Sequence, residues 1–72
     1  MPRKRSIIPA TAIAELIKEA GAERVSDDAA RSLADILMEK GMQIAKDAIK
    51  YAHHAKRKTV RRDDIELARK GV

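Results

Sequence analysis

Apolar residues recur in the first part of the chain at the spacing of an α-helix. They stand at positions i, i+3, i+4 and i+7, which lie on one helical face: Ile13, Leu16, Ile17 and Ala20. Pro9 suits the first turn, where a missing N–H is harmless. Gly21 suits the position after the last turn, where a positive φ is common. The pattern predicts a first helix from Ala10 or Thr11 to Ala20.

A much longer apolar stripe follows, and it begins at a well-marked helix start. Ser26 suits the N-cap because its hydroxyl accepts a hydrogen bond from the next turn, and Asp27 and Asp28 place negative charge at the positive end of the helix. The stripe comprises Ala30, Leu33, Ala34, Leu37, Gly41, Ile44, Ala45, Ala48, Ala52 and Ala55, and is widened by Met38, Met42 and Ile49. This apolar arc covers roughly half the circumference, more than the ~100° of an ordinary surface helix. The pattern predicts a second, long helix that ends near Ala55 and packs against more than one neighbour.

The length of this helix implies a second chain. About 29 residues at 1.5 Å each give about 43 Å, whereas a compact domain of 72 residues is about 30 Å across. The helix would extend beyond any monomer, so we expect a partner chain to cover its apolar arc. Gly41 lies at the middle of the stripe, where glycine costs about 1 kcal/mol relative to alanine. Either two such helices cross antiparallel at Gly41 with their backbones close together, or the helix tolerates the glycine.

The segment after the long helix resembles the segment before it. Each places β-favouring and basic residues, Arg24-Val25 in one and Thr59-Val60-Arg61 in the other, ahead of a helix opened by two acids. A short final helix follows, with apolar positions at Ile65, Leu67, Ala68 and Val72. The sequence therefore predicts an all-α fold of short helix, loop, long helix, loop and short helix, roughly symmetric about Gly41.

The positive charge is concentrated in two segments. The net charge is +5, of which Arg3, Lys4 and Arg5 carry +3 and the stretch 56–62 carries +5, while the remaining residues sum to −3. A basic tail and a basic loop fit a polyanion partner, and a solvated basic surface is the alternative. The chain also contains a single aromatic residue and is short enough that oligomerisation is the expected source of extra stability.

Several classes of function lack support in the composition. With no cysteine and two histidines, neither a thiolate site nor a zinc site of usual spacing is expected. His53 and His54 would lie about 100° apart on a helix, with no nucleophile or glycine-rich loop, so we expect no catalytic residue, cofactor or small-molecule substrate. Pro9 and Glu15 interrupt the first apolar run, so no signal peptide is expected. No stretch approaches the roughly 20 apolar residues that a bilayer requires.

Three stretches carry a specific resemblance to archaeal histones. They are IKEAGAERVSDDA (Ile17–Ala29), DAIKYAHHAKRKTV (Asp47–Val60) and DDIELA (Asp63–Ala68). They fall in register across almost the whole chain, so the resemblance implies a basic tail in residues 1–8 and a histone fold in residues 9–72. It further implies an intertwined antiparallel dimer that wraps double-stranded DNA, and dimers that join into tetramers or longer polymers.

The resemblance also assigns candidate DNA-binding residues to the two loops. Arg24 matches the arginine that enters the minor groove, and Thr59 matches the partner-chain threonine that steadies it. Lys58 and the backbone N–H groups of Val25 and Val60 are expected to contact phosphates. The full candidate set is Lys18, Arg24, Val25, Ser26, Arg57, Lys58, Thr59, Val60 and Arg61, together with Arg3, Lys4 and Arg5 of the tail.

Other family positions imply protein–protein contacts. The dimer interface is expected at Leu33, Leu37, Gly41, Ile44 and Ala48, and the contact between dimers at Tyr51, His54, Asp64 and Leu67. Arg57 and Asp64 match an ion pair that braces the second loop against the last helix, so Arg57 has both a structural and a DNA-contacting interpretation.

The sequence departs from the family at two positions. Lys56 stands where members usually have a glycine that closes the long helix, and a lysine there implies either strain or a shifted helix end. Glu15 occupies a position that is often a DNA-contacting arginine, and its carboxylate would repel phosphate. We expect the basic tail to replace the lost attraction, as flexible basic arms do.

The leading hypothesis is a chromatin protein of the cytoplasm, associated with the nucleoid, that compacts double-stranded DNA with little sequence specificity. It would act as a homodimer or as a heterodimer with a paralogue. The alternative is a heterodimerisation module of transcription-factor type, although such chains tend to lose the loop arginine and the basic second loop. A small RNA-binding protein is a third class, but one aromatic residue leaves base stacking poorly supported.

Overall fold

The computed structural model describes residues 7–71 and contains three α-helices in that part of the chain. They are α1 (Ala10–Glu19), α2 (Asp27–His54) and α3 (Arg62–Lys70), and no strand occurs among the described residues. The all-α prediction of short, long and short helices is therefore confirmed. The basic residues of the tail, Arg3, Lys4 and Arg5, lie outside the described residues.

The ends of α1 follow from two conformationally special residues. Pro9 immediately precedes the helix with φ −65°, and its carbonyl accepts the N–H of Ile13 at 3.2 Å. Beyond the other end, Gly21 has φ +125°, a conformation that side chains rarely permit. The N–H of Gly21 donates to the carbonyl of Lys18 at 2.9 Å and that of Ala22 to Ile17 at 3.3 Å. These two hydrogen bonds form the Schellman motif.

Residues up to Met38 form one compact unit, in which α1 packs on the first part of α2. Its core consists of Ile13, Ala30 and Ala34, each at most 5% exposed. Partly buried apolar side chains surround this core: Ile8, Ala10, Ala14, Ile17, Val25, Leu33 and Leu37. The core therefore contains one large side chain and two alanines, which is little apolar volume for a helix pair.

Residues from Glu39 onward form a second compact unit, made by the remainder of α2 and by α3. The α2 segment buries Ala48 and Ala52, and α3 buries Asp64 and Ala68. α2 ends at His54, and Lys56 adopts φ +60° after it. Of the two outcomes expected for this lysine, the structure has the left-handed conformation.

Large apolar side chains remain accessible along α2. Ile36 is 51% exposed, Met42 is 52% exposed and Ile49 is 42% exposed, and no large side chain of the described chain is fully buried. Apart from its chain neighbours and the backbone of its own helix turns, a Cβ added at Gly41 would meet no atom within 4 Å. No described helix combines the length and apolarity needed to cross a membrane.

Candidate nucleic-acid interface

The first loop, residues 20–26, presents an exposed arginine between two fixed points. On one side is the Schellman turn at Gly21. On the other, Ser26 Oγ accepts the N–H of Ala29 at 3.1 Å and so caps α2. Val25 packs partly buried against the core of the same unit. Arg24 itself is exposed, so its guanidinium extends into solvent from a backbone that is held on both sides.

The second loop, residues 55–61, is organised by one buried carboxylate. Asp64 Oδ2 accepts Arg57 Nη1 at 3.0 Å, and Asp64 Oδ1 accepts Arg57 Nη2 at 3.1 Å. The same Oδ2 accepts the backbone N–H of Arg61 at 2.8 Å. Arg57 Nη1 also donates to the carbonyl of Thr59 at 3.0 Å. These bonds join the start, middle and end of the loop to the first turn of α3.

The electrostatics of this cluster keep both partners charged. The hydrogen bonds from Arg57, aided by the backbone N–H of Arg61, hold the pKa of Asp64 below its ordinary value of 3.8. The hydrogen bond to Asp64 raises the pKa of Arg57 above its ordinary value. A two-bond guanidinium–carboxylate pair of this geometry is among the stronger polar contacts in proteins. The Asp64 side chain is only 5% exposed, against 24% for Arg57, so the pair is largely shielded from water.

The remaining cations of the second loop face solvent. Arg57 is engaged with Asp64 and Thr59, whereas Lys56, Lys58, Arg61 and the first α3 residue, Arg62, are exposed. Thr59 and Val60 are exposed as well. Lys56 and Arg62 were not in the candidate set from the sequence. Lys56 could have been added to the candidates, because it stands where family members usually have glycine.

The other candidate residues occupy varied positions. Lys18 on α1 is exposed, as are Tyr51, His54 and Leu67. Leu33, Leu37 and Ile44 are half-buried, Gly41 is exposed, and Ala48 is already 0% exposed within its own chain. The structure brings Arg57, Thr59, Arg61 and Asp64 into one network. Within residues 7–71, no three His, Cys, Asp or Glu side chains cluster where they could hold a metal.

These features define the general class of the protein: it is small and all-α, with one exposed arginine in its first interhelical loop and several exposed basic residues in its second. Residues 7–68 match the family model described as histone-like transcription factor (CBF/NF-Y) and archaeal histone. The chain belongs to this histone-like family.

Two relatives agree with the family match. Over 61 residues the chain is 49% identical to a subunit of the archaeal histone HAN1 from Thermococcus zilligii, which covers 85% of this chain and 91% of the relative. It is 39% identical to probable archaeal histone 3 of Methanocaldococcus jannaschii over 64 residues, which covers 89% of this chain and 96% of that protein. The resemblance to archaeal histones is thereby confirmed, and with it membership of a histone family rather than of an enzyme family.

Proposed function

We propose that this chain is a chromatin protein that wraps and compacts double-stranded DNA with little sequence preference. The observation that carries the proposal is Arg24, an exposed guanidinium on a loop fixed by a helix cap at each end. A narrow minor groove concentrates negative potential and attracts such a side chain, and arginines inserted where the groove faces inward are the means by which histones wrap DNA. Both relatives are named as archaeal histones.

The charge at the second loop supports the same function. Lys58 and Arg61 are exposed there, beside the exposed residues Thr59 and Val60. Contacts of this kind bind phosphates, which fixes the protein on the duplex without reading its sequence. A heterodimerisation module of transcription-factor type would not need either the loop arginine or this basic loop. The DNA-wrapping function is therefore favoured, and it locates the protein on the nucleoid in the cytoplasm.

The functional unit is an antiparallel dimer of histone folds. α2 leaves Ile36, Met42 and Ile49 about half exposed, and the core of the first unit is mostly alanine. A second copy or a paralogue that lies along α2 would remove this apolar surface from water, which is the dominant favourable term in association. In such a dimer, the first loop of one chain would lie beside the second loop of the other. Each end of the dimer would then combine Arg24 with the partner's Lys58 and Thr59.

Gly41 offers a test of the dimer, because its own chain does not oppose a side chain there. Within one chain, Gly41→Ala should raise helix stability by about 1 kcal/mol, since the added Cβ would meet nothing within 4 Å beyond its chain neighbours and the backbone of its own helix. If a partner helix crosses at Gly41, the Cβ enters the interface instead. We expect Gly41→Ala to weaken the dimer, and Gly41→Leu to lower its stability by the ~1–3 kcal/mol typical of overpacking.

Sedimentation and unfolding at several protein concentrations measure this effect. Ser32→Ala, at another exposed α2 position, is the control for helix propensity alone. A more stable Gly41→Ala variant with unchanged self-association would contradict the crossing at Gly41. A folded monomer of the original chain at micromolar concentration would contradict the dimer itself.

Arg24 and the basic tail separate wrapping from simple attraction. The logarithm of the DNA-binding constant falls linearly with the logarithm of the salt concentration, and this gradient is the log–log salt slope. Arg24→Ala removes one charge per chain, so the slope should change by less than about 1. Wrapping of the DNA should nevertheless be strongly impaired. Removal of residues 1–6 takes away Arg3, Lys4 and Arg5, which would lower that slope by at most about 2.7 per chain. Wrapping at saturation should survive this deletion, because a tail attracts the duplex without shaping its path.

Topology of closed circular DNA, relaxed in the presence of each protein, measures wrapping through the change in linking number. Salt-dependent binding to a linear duplex measures attraction in parallel. Loss of supercoiling in the tail deletion, with supercoiling intact in Arg24→Ala, would show that the assignment of Arg24 is wrong. If the unaltered protein does not change the linking number at all, the proposed DNA-wrapping function is wrong.

A further inference from the structure

Lys56 has the backbone conformation that glycine commonly takes at the end of a helix. Its φ is +60°, and no other non-glycine residue in the described part of the chain has a positive φ. In the left-handed region a Cβ crowds the following carbonyl oxygen, which glycine avoids. The helix end is nevertheless fully formed: the N–H of Lys56 donates to His53 at 2.8 Å and that of Arg57 to Ala52 at 2.9 Å. The chain thus keeps a lysine where glycine would close the same turn without strain.

Attraction to the helix dipole does not explain this placement. A cation near the negative end of α2 is favourable, but the effect requires no left-handed residue. Ala55 is exposed and lies one residue earlier, with a backbone that ordinary residues adopt. A lysine at Ala55 would interact with the same helix end without the unfavourable φ. The position of Lys56 therefore needs a reason outside the stability of its own chain, and strained residues of this kind cluster at functional sites.

The surroundings of Lys56 supply a reason. The guanidinium of the neighbouring Arg57 is already hydrogen-bonded within the chain, twice to Asp64 and once to Thr59. Lys56 and Lys58 are both exposed. The Schellman bonds fix the backbone before Lys56, and the Arg57–Asp64 pair fixes it afterwards. The backbone that carries Lys56 is therefore fixed, and Lys58, an exposed candidate phosphate contact, lies two residues further on.

We propose that Lys56 is an additional phosphate-binding residue of the second loop. This inference rests on the proposed DNA-wrapping function and adds one contact to it. The ligand is a backbone phosphate of double-stranded DNA, because an ammonium acts as a compact point charge without the planar fork that reads a base edge. The contact strengthens binding of every sequence alike, since phosphate contacts carry no sequence information. Glycine at this position would give a more stable turn and a weaker DNA complex.

Opposite changes in fold stability and DNA binding distinguish this role from a purely structural one. The full chain and its Lys56→Gln, Lys56→Gly and Lys56→Arg variants are titrated onto a linear duplex over a series of salt concentrations. Melting temperatures are measured without DNA. Lys40→Gln, an exposed lysine in the middle of α2, is the matched control for loss of one charge.

Lys56→Gln should make the log–log salt slope shallower by up to about 0.9 per chain, with little change in melting temperature. Lys56→Gly should lose the same slope while its melting temperature rises by roughly 4–8 °C, because the strain is relieved. Lys56→Arg should keep the slope, and Lys40→Gln should change it less than Lys56→Gln does.

Two results would overturn the proposal. One is a Lys56→Gln slope equal to that of the unaltered protein. The other is a Lys40→Gln change as large as that of Lys56→Gln, which would mean that only the total charge matters. Failure of the proposed function is distinguishable, because the unaltered protein would then leave the linking number of closed circular DNA unchanged. If the unaltered protein wraps DNA but Lys56→Gln leaves the salt slope unchanged, only the phosphate-binding role of Lys56 is contradicted.

Discussion

The two loops close with the same backbone hydrogen bonds but are stabilised by different chemistry. Each follows a helix through a Schellman turn, with a left-handed residue that is Gly21 in the first loop and Lys56 in the second. The first loop then relies on neutral groups, a serine cap and a half-buried valine. The second relies on an ion pair between Arg57 and a nearly buried Asp64. We therefore expect the two loops, although they match in outline, to respond differently to acid.

The helix starts after the two loops show the same contrast. A complete capping box has an N-cap side chain that accepts a bond from the third helical residue, and an acidic or amide side chain there that accepts one in return. At α2 only the forward bond exists, from the N–H of Ala29 to Ser26, because alanine has no acceptor. At α3 only the return bond exists, from the N–H of Arg61 to Asp64, because an arginine side chain has no acceptor. Each loop thus has one half of the motif.

This difference suits the different tasks that we propose for the loops. The first loop carries one critical cation, Arg24, so a neutral frame leaves its charge free for DNA. The second loop carries several cations in a short stretch, whose mutual repulsion would favour opening of the loop. The buried carboxylate of Asp64 neutralises Arg57 and holds the loop closed. Lys56 and Lys58 stay exposed and are the residues that we propose for phosphate contacts.

Asp64→Asn should give the larger of the two effects that test this comparison. The substitution removes the charge that faces Arg57 and weakens the bond from the N–H of Arg61, so the second loop and α3 should be destabilised at pH 7. The folded-state pKa of Asp64 is lowered, so its contribution is complete above the ordinary value of 3.8. It is lost as the pH falls through the lowered pKa. The deficit of Asp64→Asn relative to the unaltered protein should therefore shrink below about pH 4.

Denaturant unfolding at pH 7, 5 and 3 measures this deficit. Asp63→Asn is the matched control, because Asp63 is adjacent in α3 but exposed. We expect a small deficit for this control and no convergence with the unaltered protein in acid. An Asp64→Asn deficit that stays constant from pH 7 to 3 would show that the ion pair does not hold the second loop.

The fold was largely predictable from the sequence because local signals agreed with one another. The apolar spacing of α1, Gly21 after it and Ser26 before α2 all mark the same boundaries that the structure has. The long stripe of α2 predicted more apolar surface than one chain covers, and Met42 and Ile49 on its widened side remain exposed. The proline was predicted in the first turn of α1, but it lies just before the first helical residue. Boundaries of one residue depend on cap geometry, which spacing does not encode.

The candidate site was less predictable, because it depends on which of several cations is engaged internally. The sequence left Arg57 with two interpretations: the family resemblance implied its ion pair with Asp64, which the structure contains, but nothing in the spacing alone says that Asp64 faces it. Lys56 departs from the glycine usual in the family, but competing energies decide whether such a lysine shifts the helix end or adopts the left-handed conformation, and the sequence does not reveal them. The pairing of the first loop with the second loop of another chain depends on a partner, and so it stays a prediction.

Ser26→Ala should give the smaller effect, and one that acid leaves unchanged. Loss of the bond from the N–H of Ala29 to Ser26 Oγ should destabilise the protein by about 1 kcal/mol, the usual cost of losing a serine cap. Neither the hydroxyl nor the N–H titrates, so the deficit should be the same at pH 7, 5 and 3. The chemically identical change Ser32→Ala, inside α2, should instead be neutral or slightly stabilising, because alanine favours the helix interior. Equal destabilisation by both serine substitutions would show that the Ser26 cap contributes nothing specific. A Ser26→Ala deficit that shrinks in acid as the Asp64→Asn deficit does would mean that the two loops are not held by different chemistry.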